Sequence, residues 1–107
     1  MTPKKSVEHV ISFFECRGWA VTKGKNINAN GPDIVAIKGN KSLSIEVKMA
    51  SFRSRAWKVK RCTRKCDDLI AIVFPNSAIH FEEMSSHLQK CSKSGDRFLT
   101  LIGTVYV

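Results

Sequence analysis

The sequence predicts an α/β domain in which a mixed central β-sheet is flanked by helices. Three observations lead there. A helical stripe near the N-terminus is followed by several strand-like segments. Two short runs rich in Ile and Val flank Gly39-Asn40, the pattern of a two-residue hairpin turn. Residues 69–74 are continuously apolar, as in a strand buried on both faces. At 107 residues the chain makes one domain, 1–107, large enough for an ordinary core without disulfide or metal staples.

The first helix is expected over residues 3–17. Thr2 is a suitable N-cap, Pro3 suits the first helical position, and Gly18 is a natural stop. Val7, Val10, Ile11 and Phe14 share a stripe with Phe13 at its edge. Residues 19–23 alternate as a strand, and 24–31 form a polar, Gly- and Asn-bearing loop of the kind that lines clefts. Pro32, lacking an N–H, suits a strand's first residue. The hairpin follows over 33–48. Alternation at 56–60 predicts a strand with Trp57 and Val59 inward and Lys58 and Lys60 outward. After the buried strand, Pro75-Asn76 marks a turn and 77–81 a further strand. Met84, Leu88 and Cys91 then space a second helix over 83–93 before Gly95. The tail, 98–107, is β-rich.

Eighteen Lys and Arg against nine Asp and Glu give a net charge of +9 and a pI near 9.7, a balance that favours a polyanionic partner. No apolar run approaches the ~20 residues of a membrane span, and no basic face sits on an amphipathic helix, so a membrane is not the expected partner. Lys4 and Lys5 precede no apolar signal core. The expectation is a cytoplasmic protein, nucleoid-associated or in a host cytoplasm if phage-encoded, with its four cysteines reduced. Between residues 49 and 66 lie seven basic residues and no acid: Arg53, Arg55, Lys58, Lys60, Arg61, Arg64 and Lys65. This stretch reads as a surface for nucleic-acid backbones. Trp57 within it could stack on a base, although a lone Trp in an alternating strand more often packs in a core.

With Gly39-Asn40 as the turn, Lys38 faces Lys41 and Asp33 faces Glu46, and Lys48 shares the face of Glu46. Opposed Cβ atoms sit only ~4.5–5.5 Å apart, where like charges repel. Two carboxylates held so close call for a cation between them, either a hard divalent ion or Lys48 itself. Each residue also has an ordinary reading, Asp33 as a turn residue and Glu46 and Lys48 as a solvated strand face.

Together, Pro32-Asp33 and Glu46-Val47-Lys48 resemble the signature of the PD-(D/E)xK nuclease superfamily, and the resemblance runs from Glu8 to Lys48. It implies a restriction-endonuclease-like core and a DNA endonuclease dependent on Mg²⁺, with Mn²⁺ able to substitute and no small-molecule cofactor. In such nucleases Asp33, Glu46 and the Val47 carbonyl would hold the ion, Lys48 would assist at the phosphate, and a Glu on the first helix, Glu8 or else Glu15, would complete the site. Within the superfamily the chain is similar to archaeal Holliday-junction resolvases and to small phage-type or homing nucleases. One catalytic set per chain would then require a homodimer for paired cuts. The Gln that many relatives carry on a helix after Glu-x-Lys is absent.

Other readings remain. The chain could be a nucleic-acid-binding module without catalysis. Asp67 and Asp68 could extend the acidic site. Cys62, Cys66, His87 and Cys91 supply the ligand types of a Cys3His zinc site.

Overall fold

The computed structural model describes residues 2–24, 32–62, 68–93 and 95–99. Helix α1 (Pro3–Glu15) begins as its sequence dictates: Thr2 is extended, its Oγ1 accepts the Lys5 N–H at 3.2 Å, and Pro3 occupies the first turn. It ends two residues earlier than expected, and Gly18 turns the chain with φ +84°.

Strands β1 (Ala20–Lys23), β2 (Ile34–Lys38), β3 (Lys41–Met49), β6 (Leu69–Val73) and β7 (Ile79–Glu83) form a sheet in the order β1-β2-β3-β6-β7. Only β3 and β6 pair in parallel, so the sheet is mixed. The β2–β3 register matches the sequence reading, with Lys38 opposite Lys41 and Ile34 opposite Ile45, and Gly39 has the positive φ its turn requires.

Alternation divides the core. Ile34, Ala36, Ile45, Ala71, Val73 and Ile79 pack with Val10 and Phe14 of α1. Ile70 and Ile72 point to the other face, where they meet Val59, Leu99 and Met84. That second layer consists of helix α2 (Met84–Lys90) and a small sheet, β4-β5-β8, built from β4 (Ser51–Arg53), β5 (Ala56–Val59) and β8 (Arg97–Leu99).

Three differences from the sequence reading have local causes. Strand β4 was not expected, because its hairpin turns at Ser54 and Arg55, with φ +53° and +65°, and carries none of the usual Asn or Gly. Strand β7 starts two residues late because Ser77, at φ +73°, still belongs to the turn closed by its N–H to the Phe74 carbonyl. Helix α2 is shorter than 83–93, since Cys91 is already extended and bridges Arg97. Of the expected terminal strand, residues 100–107 lie outside the described residues. No helix among the described residues is long and apolar enough to cross a membrane.

Candidate active site

The site forms where β2 ends and β3 continues. A two-residue hairpin is closed by a hydrogen-bonded pair, here Lys38 and Lys41, and such pairs recur at every second residue. Val47 therefore directs both its N–H and its carbonyl toward the β2 side, where the paired ladder stops at Ile34–Ile45 and its continuation would bring Pro32 opposite. Proline has no N–H to give that carbonyl. The Val47 N–H is taken instead by the Asp33 carboxylate, whose Oδ2 accepts it at 2.9 Å. The Asp33 side chain thus takes the place of a ladder partner and ties an acid to β3, and Pro32 brings no N–H to this corner.

Gly24, just past β1, braces this corner from outside. Its N–H donates to the Asp33 carbonyl at 2.8 Å, and a Cβ on Gly24 would lie 2.5 Å from the Pro32 carbonyl oxygen. Only glycine permits that approach.

Glu46 and Lys48 share one face of β3. Lys48 Nζ lies 3.7 Å from Glu46 Oε1, with side chains 26% and 12% exposed. Asp33, Glu46, Val47 and Lys48 all line one cleft of about 680 Å³. Lys4 and Lys23 line it as well, adding positive charge that the sequence reading missed. Neither sits in a recognisable motif; the signal was only that Lys23 ends the strand preceding the Asp33 loop.

The donors fit a hard divalent cation. Two carboxylates and a backbone carbonyl are all oxygen ligands, and Mg²⁺ takes one or two carboxylates while keeping several waters. Among the described residues no three His, Cys, Asp or Glu side chains gather into a metal cage. A site of this kind relies on substrate phosphate and water for its remaining positions.

The other predicted residues are placed as follows. Glu8 is exposed, one turn beyond Lys4 on the same side of α1, and does not line the cleft. Glu15, at the far end of α1, is exposed and also outside the cleft. Asp68 does not extend the acidic site: its Oδ2 accepts the Ser44 N–H at 2.9 Å and the Ser44 hydroxyl at 3.2 Å. Asp67 lies outside the described residues.

Of the basic stretch, Arg53, Arg55, Lys60 and Arg61 are exposed, while Lys58 pairs with Asp96 at 3.1 Å. Arg64 and Lys65 lie outside the described residues. Trp57 is half-buried: its ring packs edge-on to Phe74 at 4.9 Å and beside the exposed Phe52 at 5.2 Å, against the core of the second layer. No helix follows Lys48; the chain continues as the β4–β5 hairpin.

Cys62, His87 and Cys91 do approach one another. Buried His87 accepts the Cys62 N–H on Nε2 at 3.2 Å, and Cys91 Sγ lies 3.8 Å from the same nitrogen. That nitrogen's lone pair is committed to an amide, while Cys66 is outside the described residues. The other ring nitrogen, Nδ1, sits 3.6 Å from Glu82 Oε2. Burial pushes the Glu82 carboxyl up. Hydrogen bonds from His80 at 3.0 Å and Arg97 at 2.5 Å outweigh it and hold the group at about 2. Burial lowers the His87 pKa. This network ties β7, α2 and β8 together.

A mixed sheet carrying Asp33, Glu46 and Lys48 at a strand end defines a nuclease of the PD-(D/E)xK superfamily. The family model for the archaeal Holliday junction resolvase (Hjc) matches residues 5–71, and the chain belongs to that family. The matched region runs from α1 into β6 and holds Asp33, Glu46, Val47 and Lys48. Among solved structures, the bacterial homing endonuclease I-Ssp6803I is similar over 94% of this chain and 74% of its own, with a TM-score of 0.75 and 16% identity. At that identity the likeness is one of fold. No curated protein matches the chain.

Proposed function

We propose that this nuclease is a Mg²⁺-dependent endonuclease that selects branched DNA, cutting four-way junctions as a homodimer. The observation that supports the reading is the Asp33 carboxylate bound to the Val47 amide in a cleft that Glu46 and Lys48 also line.

Asp33, Glu46 and the Val47 carbonyl would hold the ion. Bound Mg²⁺ supplies a Lewis acid at the scissile phosphate and a water of lowered pKa. Lys48, beside Glu46, orients that water and offsets charge developing on the phosphoryl oxygens. Lys4 and Lys23, on the cleft walls, neutralise neighbouring phosphates of the cut strand. Glu8, one turn from Lys4, acts through bound water rather than by direct contact. Arg53, Arg55, Lys60 and Arg61 track the DNA backbone, giving affinity with little sequence information. A junction needs two symmetric cuts, and each chain has one such cleft, so two chains act together.

The test is a cleavage panel of duplex, nicked, flapped and four-way DNA, with Mg²⁺, with Mn²⁺ and with EDTA. Paired cuts in the four-way substrate, dependent on the divalent ion, are expected. Binding without cleavage under any divalent ion would instead make the chain a binding module. Cutting of one duplex sequence in preference to junctions would make it a site-specific enzyme.

A further inference from the structure

The outer face of the small sheet forms a second groove of about 300 Å³, lined by Met49, Ser51, Arg53, Lys58, Lys60 and Asp96. Met49 also lines the acidic cleft, so the two depressions adjoin. The register puts Ser51, Lys58 and Phe98 in one row, and alternation adds Arg53 to that face. Phe52, Trp57 and Leu99 form the next row and point to the other face, where Trp57 and Leu99 join the core. Phe98 is therefore turned outward by the pleat, with 47% of its surface exposed.

An exposed phenyl ring beside a basic groove has a specific chemical complement. Lys58 is neutralised by Asp96 at 3.1 Å, which leaves Arg53 and Lys60 to supply the positive charge the groove presents. A duplex offers phosphates to such cations but keeps its base faces hidden in its own stack. An unpaired strand offers both phosphates and a base face.

We propose that this face binds an unpaired DNA strand leading from the cleft, with one base stacked on Phe98 and its phosphates on Arg53 and Lys60. The proposal rests on the nuclease reading and adds that strand opened at the branch point, rather than a paired arm, is what the small sheet takes.

The test titrates the full chain, in EDTA, into a single-stranded oligonucleotide carrying 2-aminopurine, with a duplex of the same sequence as competitor. Stacking changes the aminopurine fluorescence. Phe98→Ala is expected to weaken binding roughly tenfold and remove that change, while Phe98→Tyr keeps both. Replacing Arg53 and Lys60 together by Gln lowers the slope of log affinity against log salt by about 1.4. Wild-type binding and fluorescence in Phe98→Ala would overturn the proposal, as would a duplex that competes as well as the single strand. If Phe98→Ala does not fold, the Arg53 and Lys60 variant decides, and an unchanged slope overturns it. The absence of metal separates the two claims: a chain that stacks the base but never cuts with Mg²⁺ fails only as a nuclease.

Discussion

The carboxylate of Asp33 accepts the backbone N–H of Val47 at 2.9 Å, so a side chain takes the place of a ladder partner at the point where β2 gives out. Continuing the register would bring Pro32, which cannot donate, opposite Val47. Acid, amide and carbonyl are arranged by two adjacent residues, and each of the following outcomes depends on that corner or on the layers that hold it.

Pro32→Ala adds an N–H at the position that a continued register would set opposite the Val47 carbonyl. A backbone hydrogen bond there contributes a net ~0.5–1.5 kcal/mol, which competes with a metal ion for the same oxygen. The half-saturating Mg²⁺ concentration for cleavage should rise by roughly 2- to 10-fold, read from a metal titration at saturating DNA. An unchanged titration would mean the carbonyl is not a ligand.

Gly24→Ala places a methyl group 2.5 Å from the Pro32 carbonyl oxygen, which is backbone and cannot swing away. The Pro32-Asp33 corner must shift. The expected result is a loss of at least about tenfold in single-turnover cleavage, with stability reduced by ~1–3 kcal/mol and junction affinity within a few-fold of wild type. A variant as active as wild type would show that the corner tolerates displacement.

The Glu82 network makes the fold acid-sensitive in two stages. Burial lowers the His87 pKa, so the unfolded chain binds that proton more readily and stability falls as pH drops below about 6.5. Glu82, with a folded pKa of about 2, contributes stability that is complete above its unfolded value of 4.5 and is lost between 4.5 and 2. Its share is on the order of 3 kcal/mol. Urea midpoints from pH 7 to pH 3 should show both declines, and Glu82→Gln should flatten the lower one while reducing stability at pH 7.

Ser54 and Arg55 turn the β4–β5 hairpin in left-handed conformations that cost ordinary residues ~1–2 kcal/mol each. Replacing the pair by Asn and Gly should raise the melting temperature by several degrees. The same change removes the Arg55 charge and should weaken junction binding in low salt. Stabilisation without weaker binding would take Arg55 out of the interface.

The central hairpin was legible because Gly39-Asn40 fixed the turn, and the turn fixed every pair down to Ile34 and Ile45. The buried strand β6 was equally plain from its unbroken apolar run. The β4–β5 hairpin was not, since its turn bears no residue that favours positive φ. Lys4, Lys23 and Gly24 reach the cleft through tertiary packing, which no local pattern encodes. Glu8 stays outside the cleft although Lys4, one turn before it on the same helix, lines it, and the spacing of Glu8 from Gly18 carried no information about that.

The most direct measurement compares four-way junction cleavage and binding by the wild type and by Asp33→Ala, Glu46→Ala and Lys48→Ala in Mg²⁺. Each variant should lose at least ~100-fold in cleavage rate while binding the junction within a few-fold of wild type. A Glu46→Ala protein that cuts as fast as wild type would contradict the assignment of this cleft as the catalytic centre.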